Sequence, residues 1–307
     1  MKNILIVYNP RSSRFKDVRA EVLDFLTPKK MAEMGKNGVT VGKYEILETT
    51  VEDNIKKLKK LLADDMTVVA VGGDATGVIA ANAIIDSGKD AVLSVLPYGN
   101  FNDLARTLGL KKITEIWDGK VKKLWPLEIV VDGEHFRYAT SYVTVGMTAE
   151  AVEIFDDERI RKELQKGSKS SWKSYLELAS WYFKNRKKKN FIPKFKLNGK
   201  AMSEKTTDYA AVNGRSMARV MRGADWCFDA KYFQSETGEL ANFGNLFVLM
   251  ARSILARTPG EKTCGDTLEF AAPAKVEIQA EGEYKVFEGI SKLEIRKAKK
   301  CLKVLVK

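Results

Sequence analysis

Residues 68–76 read Val-Val-Ala-Val-Gly-Gly-Asp-Ala-Thr, an apolar run that opens directly into two glycines, a carboxylate and a hydroxyl. The run is too short and too β-branched for a helix and reads as a strand buried on both faces, as in a parallel sheet. Gly72 and Gly73 then permit a tight turn with no Cβ between the backbone and a bulky ligand. Residues 76–87 read as a helix, so unpaired N–H groups and a positive dipole end face the turn. That combination is a phosphate cradle. Asp74 inside it either holds Mg²⁺ or a nucleophile's proton, or simply caps the helix.

A second stretch repeats the logic. Residues 91–106 run as an apolar strand into Pro97 and Gly99, then Asn100, Asn102, Asp103 and Arg106 at a helix start. The first strand, residues 4–8, likewise ends in Asn9-Pro10-Arg11-Ser12-Ser13-Arg14. Three strand ends therefore deliver Gly, Asn, Ser, Arg and Asp to one edge of one sheet, where open α/β sheets bind ligands.

Strands expected at residues 3–8, 43–48, 66–71 and 90–96 alternate with helices at 15–26, 51–63, 76–87 and 101–109. This alternation specifies a parallel sheet flanked by helices. Residues 29–41 read as a loop. From Trp125 onward the helical periodicity gives way to short strand candidates at 127–131, 137–145, 195–197, 209–212, 246–250, 268–270, 276–280 and 292–296. Asp132-Gly133 and Asn198-Gly199 between such segments read as hairpin turns. The fold class is α/β: an N-terminal parallel-sheet nucleotide-binding domain, residues 1–125, plus a β-rich, sandwich-like second domain, residues 126–296.

A chain of 307 residues can bury two substantial cores. No apolar run of membrane-spanning length occurs, and the start of the chain enters a strand without a signal-peptide pattern. The three cysteines, Cys227, Cys264 and Cys301, lack metal-ligand spacing. A cytoplasmic protein is expected. His135, the one histidine, falls beside the Asp132-Gly133 turn with no nucleophile motif to serve.

The formal net charge is +12, and residues 182–200 hold eight Lys or Arg and no acid. Trp172, Tyr175, Leu176, Ala179 and Phe183 form a helical stripe just before that run. Aromatics beside a basic cluster suit an anionic membrane surface; a stripe packed on the sheet with solvated lysines is the alternative. No nucleic-acid fold accompanies the run, so no nucleic-acid partner is expected.

The chain resembles the diacylglycerol kinase-like lipid kinases, whose catalytic domain carries NPxSG, GGDGT, LPxGTxND and, near the end, DGE. Here these read Asn9-Pro10-Arg11-Ser12-Ser13, Gly72-Gly73-Asp74-Ala75-Thr76, residues 96–103, and Glu281-Gly282-Glu283, in that order. NAD kinases share the glycine-rich aspartate turn but lack the LPxGTxND segment. The departures are Ser13, Ala75 and Asn100, Glu281 in place of the Asp of DGE, and Thr237 where bacterial members use an aspartate of a structural Mg²⁺ site. An alanine at 75 is expected to resist positive φ.

What the resemblance implies is an ATP- and Mg²⁺-dependent kinase of a lipid hydroxyl, diacylglycerol or sphingoid-like, peripheral to the cytoplasmic membrane face and compatible with a homodimer. It further implies that a last strand, about residues 297–307, returns to the first domain. Gly72, Gly73, Thr76 and Gly99 would hold the phosphates; Asn9, Arg11, Ser12, Ser13, Thr50 and Asn100 would line the nucleotide. Asp74 would engage Mg²⁺. The base is Glu283, as in bacterial members, or Asp74, as in the sphingosine kinase branch. The competing readings are a degenerate nucleotide- or lipid-binding homologue without turnover and a kinase of a soluble acceptor such as NAD.

Overall fold

The computed structural model describes residues 3–12, 14–27, 29–30, 33, 40–46, 50–99, 101–146, 148–149, 194–202, 208–217, 221–222, 233–238, 261–271 and 273–307. The N-terminal unit is built on β1 (Asn3–Tyr8), β2 (Thr40–Glu45), β3 (Met66–Gly72), β4 (Val92–Pro97) and β5 (Lys120–Leu124). Its helices are α1 (Phe15–Val18), continued by a π turn at Arg19–Leu23, then α2 (Val51–Lys59), α3 (Asp74–Ser87) and α4 (Asp103–Leu108). The strands run in the order β2-β1-β3-β4, all parallel.

Both faces of this sheet are covered, as its unbroken apolar strands require. Ile4, Ile6, Val69 and Val71 pack with Val18, Val22, Ile113 and Ile116 on one side. Their strand neighbours Leu5, Val7, Val68 and Ala70 pack with Ile79, Ile84 and Leu104 on the other. Helix α3 is buried from Thr76 to Ile85, which is why it is apolar nearly all round. Gly88 in the left-handed region, φ 67°, ends it.

Two further six-stranded sheets follow. The first sheet uses β6 (Leu127–Val131), β7 (Glu134–Ala139), β9 (Phe195–Leu197), β10 (Lys200–Ala201), β16 (Thr267–Ala271) and β19 (Lys292–Lys297). The second uses β8 (Tyr142–Gly146), β11 (Asp208–Val212), β14 (Phe233–Gly238), β15 (Glu261–Gly265), β17 (Lys275–Ala280) and β18 (Glu283–Glu288). A two-stranded ribbon, β12 (Ser216–Met217) with β13 (Met221–Arg222), packs Met217 against Tyr142, Ala210 and Val212. Ile129, Leu268 and Ile295 of one sheet and Val143, Tyr209 and Ile278 of the other share one core, making a sandwich of antiparallel sheets. The last strand, β20 (Leu302–Val306), pairs parallel with β4 and antiparallel with β5, so the chain closes back into the N-terminal sheet.

Three sequence-based expectations are corrected here. Residues 137–145 are not one strand: the chain breaks at Thr140-Ser141 and passes from β7 in one sheet to β8 in the other. Helix α3 begins at Asp74, not Thr76, with Gly73 at its N-cap. The helix expected at 15–26 is α-helical only to Val18 before the π turn. The strand expected at 246–250 and the aromatic-basic segment up to residue 193 lie outside the described residues. Thr237 sits within β14, opposite Tyr209 and Glu261. Among the described residues no helix is long and apolar enough to cross a membrane.

The two units are joined at a seam formed by the end of β7. The Asn82 side chain of α3 donates to the Tyr138 carbonyl at 2.9 Å and accepts the Tyr138 N–H at 2.8 Å. A single buried amide thus imitates a strand edge and satisfies both backbone groups of a residue between two units.

Candidate active site

Because β1, β3 and β4 are parallel neighbours, the turns that leave them lie side by side at one edge of the sheet. Their contact is direct. A Cβ built on Gly99 would sit 2.2 Å from the Gly73 Cα, so the two glycine turns touch backbone to backbone and no side chain fits between them. The Tyr98 N–H donates to the Gly72 carbonyl at 3.0 Å. Ser12 Oγ donates to the Tyr98 carbonyl at 2.7 Å, and the Arg14 guanidinium reaches the Pro97 carbonyl at 3.1 Å. The Asn9 side chain accepts the Arg11 N–H at 2.9 Å, shaping the first turn. Sequence order scatters these residues over ninety-odd positions; strand pairing brings them together.

Asp74 plays a role no local pattern reveals. It is the first residue of α3, and its two carboxylate oxygens accept the N–H groups of Asn102, at 2.9 Å, and Asp103, at 2.7 Å. It therefore supplies the anion for the start of α4, the neighbouring helix. Burial pushes its pKa up to about 6, with the Asp103 charge adding to the rise and the backbone N–H groups opposing it. Asn102 stands at the N-cap of α4 with φ 57°, its side chain folded back to accept the Gly99 N–H and donate to the Gly99 carbonyl, each at 2.7 Å. Asp103 is buried and paired with Arg106.

One expected phosphate donor is already engaged. The Thr76 N–H already bonds the Gly73 carbonyl at 3.0 Å, and Thr76 is buried. The first two helical N–H groups of α3, those of Asp74 and Ala75, are the ones geometry leaves for an anion. Ala75 is exposed and helical, and it is not among the positive-φ residues. The alanine substitution therefore costs no backbone strain. Thr50 is the N-cap of α2, accepting the Asp53 N–H at 3.3 Å and donating to the Asp53 carboxylate at 2.6 Å. Its hydroxyl is engaged in capping rather than turned to a ligand. Ser13 and Asn100 lie outside the described residues.

The final motif is a hairpin turn. Ala280 pairs with Glu283, and Glu281 (φ 51°) and Gly282 (φ 94°) are the two left-handed residues between β17 and β18, the pattern of a type I′ turn. Glu281 is buried, with one carboxyl oxygen accepting from Thr140 Oγ1 at 2.5 Å and from the Ser141 N–H. Its other oxygen has no hydrogen-bond partner. Burial pushes its pKa up to about 7, opposed by the Thr140 and Ser141 bonds and assisted by the Asp74 charge. Glu283, at the start of β18, has one oxygen paired with Arg137, and its Oε1 stands 3.6 Å from Lys285 Nζ.

Arg137 carried no motif signal, and its role, like the buried contacts of Glu281, depends on partners far along the chain. The X-Gly step of Glu281-Gly282 could have announced the hairpin, as Asp132-Gly133 did for β6 and β7. His135 stays outside the site, its Nδ1 3.1 Å from Glu128 and its ring 4.2 Å from Tyr138. Among the described residues no three His, Cys, Asp or Glu side chains converge to hold a metal ion. Each Asp74 oxygen accepts one backbone N–H group and keeps a second lone pair.

Comparison with known proteins gives this edge a relationship. Residues 3–131 match the family model of the diacylglycerol kinase catalytic domain. No curated protein sequence matches the chain. A solved structure from Bacillus anthracis str. Sterne, provisionally named a diacylglycerol kinase, aligns with TM-score 0.68 at 14% identity over 100% of this chain and 98% of that one. A second, named a diacylglycerol kinase from the same organism, aligns with TM-score 0.64 at 11% identity over 100% of this chain and 97% of that one. At such identities the likeness establishes the two-unit fold.

Proposed function

Because residues 3–131 match the family model of the diacylglycerol kinase catalytic domain, we propose that the chain is a lipid kinase moving the γ-phosphoryl group of ATP to a lipid hydroxyl. The observation that carries this reading is the backbone contact of the Gly73 and Gly99 turns beside the open start of α3. Such a cleft admits phosphates against N–H donors and excludes side chains that would compete with them. Phosphoryl transfer then depends mainly on positioning and charge neutralisation.

The N–H groups of Asp74 and Ala75 would receive the β- and γ-phosphates, with Asn9, Arg11 and the Ser12 turn beside the nucleotide. Mg²⁺ fits as an ion carried in on the phosphates rather than held by a protein cluster; when bound it neutralises charge developing on the transferred group. Glu283, matching the glutamate of the family's final motif, is the proposed base; its side chain is 30% exposed, one oxygen paired with Arg137 and the other 3.6 Å from Lys285 Nζ. Asp74, with both oxygens bonded to N–H groups, acts as the brace that fixes the turn after β4 against α3. The acceptor is proposed as diacylglycerol or a sphingoid-like alcohol at an anionic membrane surface, reached through the basic run at 182–200.

Replacing Glu283 by Gln tests the assignment. A lost general base should lower single-turnover transfer to a micellar lipid by about 10²-fold or more, while calorimetry finds nucleotide affinity unchanged. Near wild-type turnover in Glu283→Gln would refute it. A nucleotide-binding homologue without turnover, the reading favoured by the bracing role of Asp74, would bind ATP and label no lipid at all.

A further inference from the structure

The side chain of Arg137 is only 3% exposed, yet it carries a full charge between Phe136 and Tyr138. Its fork is divided between the two units. One nitrogen pairs with Glu52 in the first turn of α2, in the N-terminal unit; another pairs with Glu283 at the start of β18, in the sandwich. Lys285 adds longer contacts to the same two carboxylates, 3.8 Å to Glu52 and 3.6 Å to Glu283. The next residue, Tyr138, is clasped by Asn82, so the backbone behind the guanidinium cannot drift. A buried guanidinium that satisfies two carboxylates at once is a directional tie, because its planar fork fixes angles as well as distances.

We propose that Arg137 is a positioning residue that ties Glu283 to α2 and thereby sets the candidate base at a fixed distance from the phosphate-holding turns. The inference rests on the kinase reading for its catalytic consequence, though the tie itself does not. Helix α2 starts at Thr50, just beyond β2, and so belongs to the same sheet edge as the glycine turns. Besides the tie, Glu283 is held by the pairing of β18 with β17, where Ala280 lies opposite it, and by Lys285.

Two variants test this. Arg137→Lys keeps the charge but cannot reach both carboxylates; Glu52→Gln, at a side chain 51% exposed, weakens one arm and leaves the buried group in place. Turnover per nucleotide-binding site should fall about tenfold or more in Arg137→Lys, and less in Glu52→Gln, with the KM for ATP held within about twofold. A stability defect alone would lower the number of binding-competent sites, which calorimetry counts, and not the turnover of each. Amide exchange at residues 283–285 and 51–53 should quicken in both variants while the centre of β3 stays protected. Unchanged turnover per site, or unchanged exchange, overturns the proposal. If wild-type protein labels no lipid, the kinase reading fails and exchange alone decides the tie. If Arg137→Lys does not fold, Glu52→Gln decides it.

Discussion

Glu281 makes folding stability fall as pH rises, and Glu281→Gln should remove that fall. In the folded chain its pKa is raised from 4.5 to about 7, chiefly by burial. A carboxyl whose folded pKa is raised binds its proton more tightly when folded than when unfolded. Its stabilising protonated form is fully present below about pH 4.5 and is lost as pH climbs through about 7. Each pKa unit corresponds to about 1.4 kcal/mol, so the folded state gives up about 3 kcal/mol between these limits. Gln keeps an oxygen for Thr140 Oγ1 and the Ser141 N–H and carries no charge. Its amide nitrogen takes the place of the partnerless oxygen, which costs about 1 kcal/mol at every pH. Glu281→Gln should therefore be about 2 kcal/mol more stable than wild type near pH 8 and slightly less stable near pH 4. Urea titrations across that range measure both curves. Parallel curves, with the variant weaker throughout, would refute the buried-proton account. Asp74 contributes in the same direction, its pKa raised to about 6, so the variant retains a smaller slope of the same sign.

Other outcomes follow from the geometry. Gly99→Ala drives a Cβ into the Gly73 backbone; it should destabilise by about 1–3 kcal/mol and weaken ATP binding by at least about tenfold, read by calorimetry. Asn82→Ala strands both backbone groups of Tyr138 at the seam and should lower stability by about 2–4 kcal/mol in chemical denaturation. Replacing Lys187, Lys188 and Lys189 by Gln should remove about 3 kcal/mol of attraction to anionic vesicles in co-sedimentation, and equal binding to neutral vesicles would show the run to be a solvated loop.

Strands β1, β3 and β4 were legible because they are largely apolar runs that end at Asn9, Gly72 and Pro97, a pattern that burial on both faces imposes. The Asp132-Gly133 and Asn198-Gly199 turns were legible for a local reason: only such pairs enter the left-handed region readily. Strand β5 was not, since four of its five residues are exposed and three of those are lysine, as suits the edge of a sheet. Nor was the break at Thr140-Ser141. Tyr138, Ala139, Tyr142 and Val143 read as one apolar run, and the chain turns there because Asn82 and Glu281, both distant in sequence, hold it. The site divides in the same way. The glycine turns announce themselves by composition, whereas Asp74 as the anchor of α4, Thr50 as a cap and Arg137 as a link between units depend on partners that only the fold supplies.

The central claim is that the edge formed by the Gly73 and Gly99 turns transfers phosphate to a lipid. Incubating the protein with γ-labelled ATP, Mg²⁺ and mixed micelles of diacylglycerol or a sphingoid alcohol tests it most directly. The account predicts label in the organic extract, dependent on Mg²⁺ and reduced at least about 10²-fold by Glu283→Gln. Bound ATP with no labelled lipid, or label appearing only on a water-soluble acceptor, would contradict it.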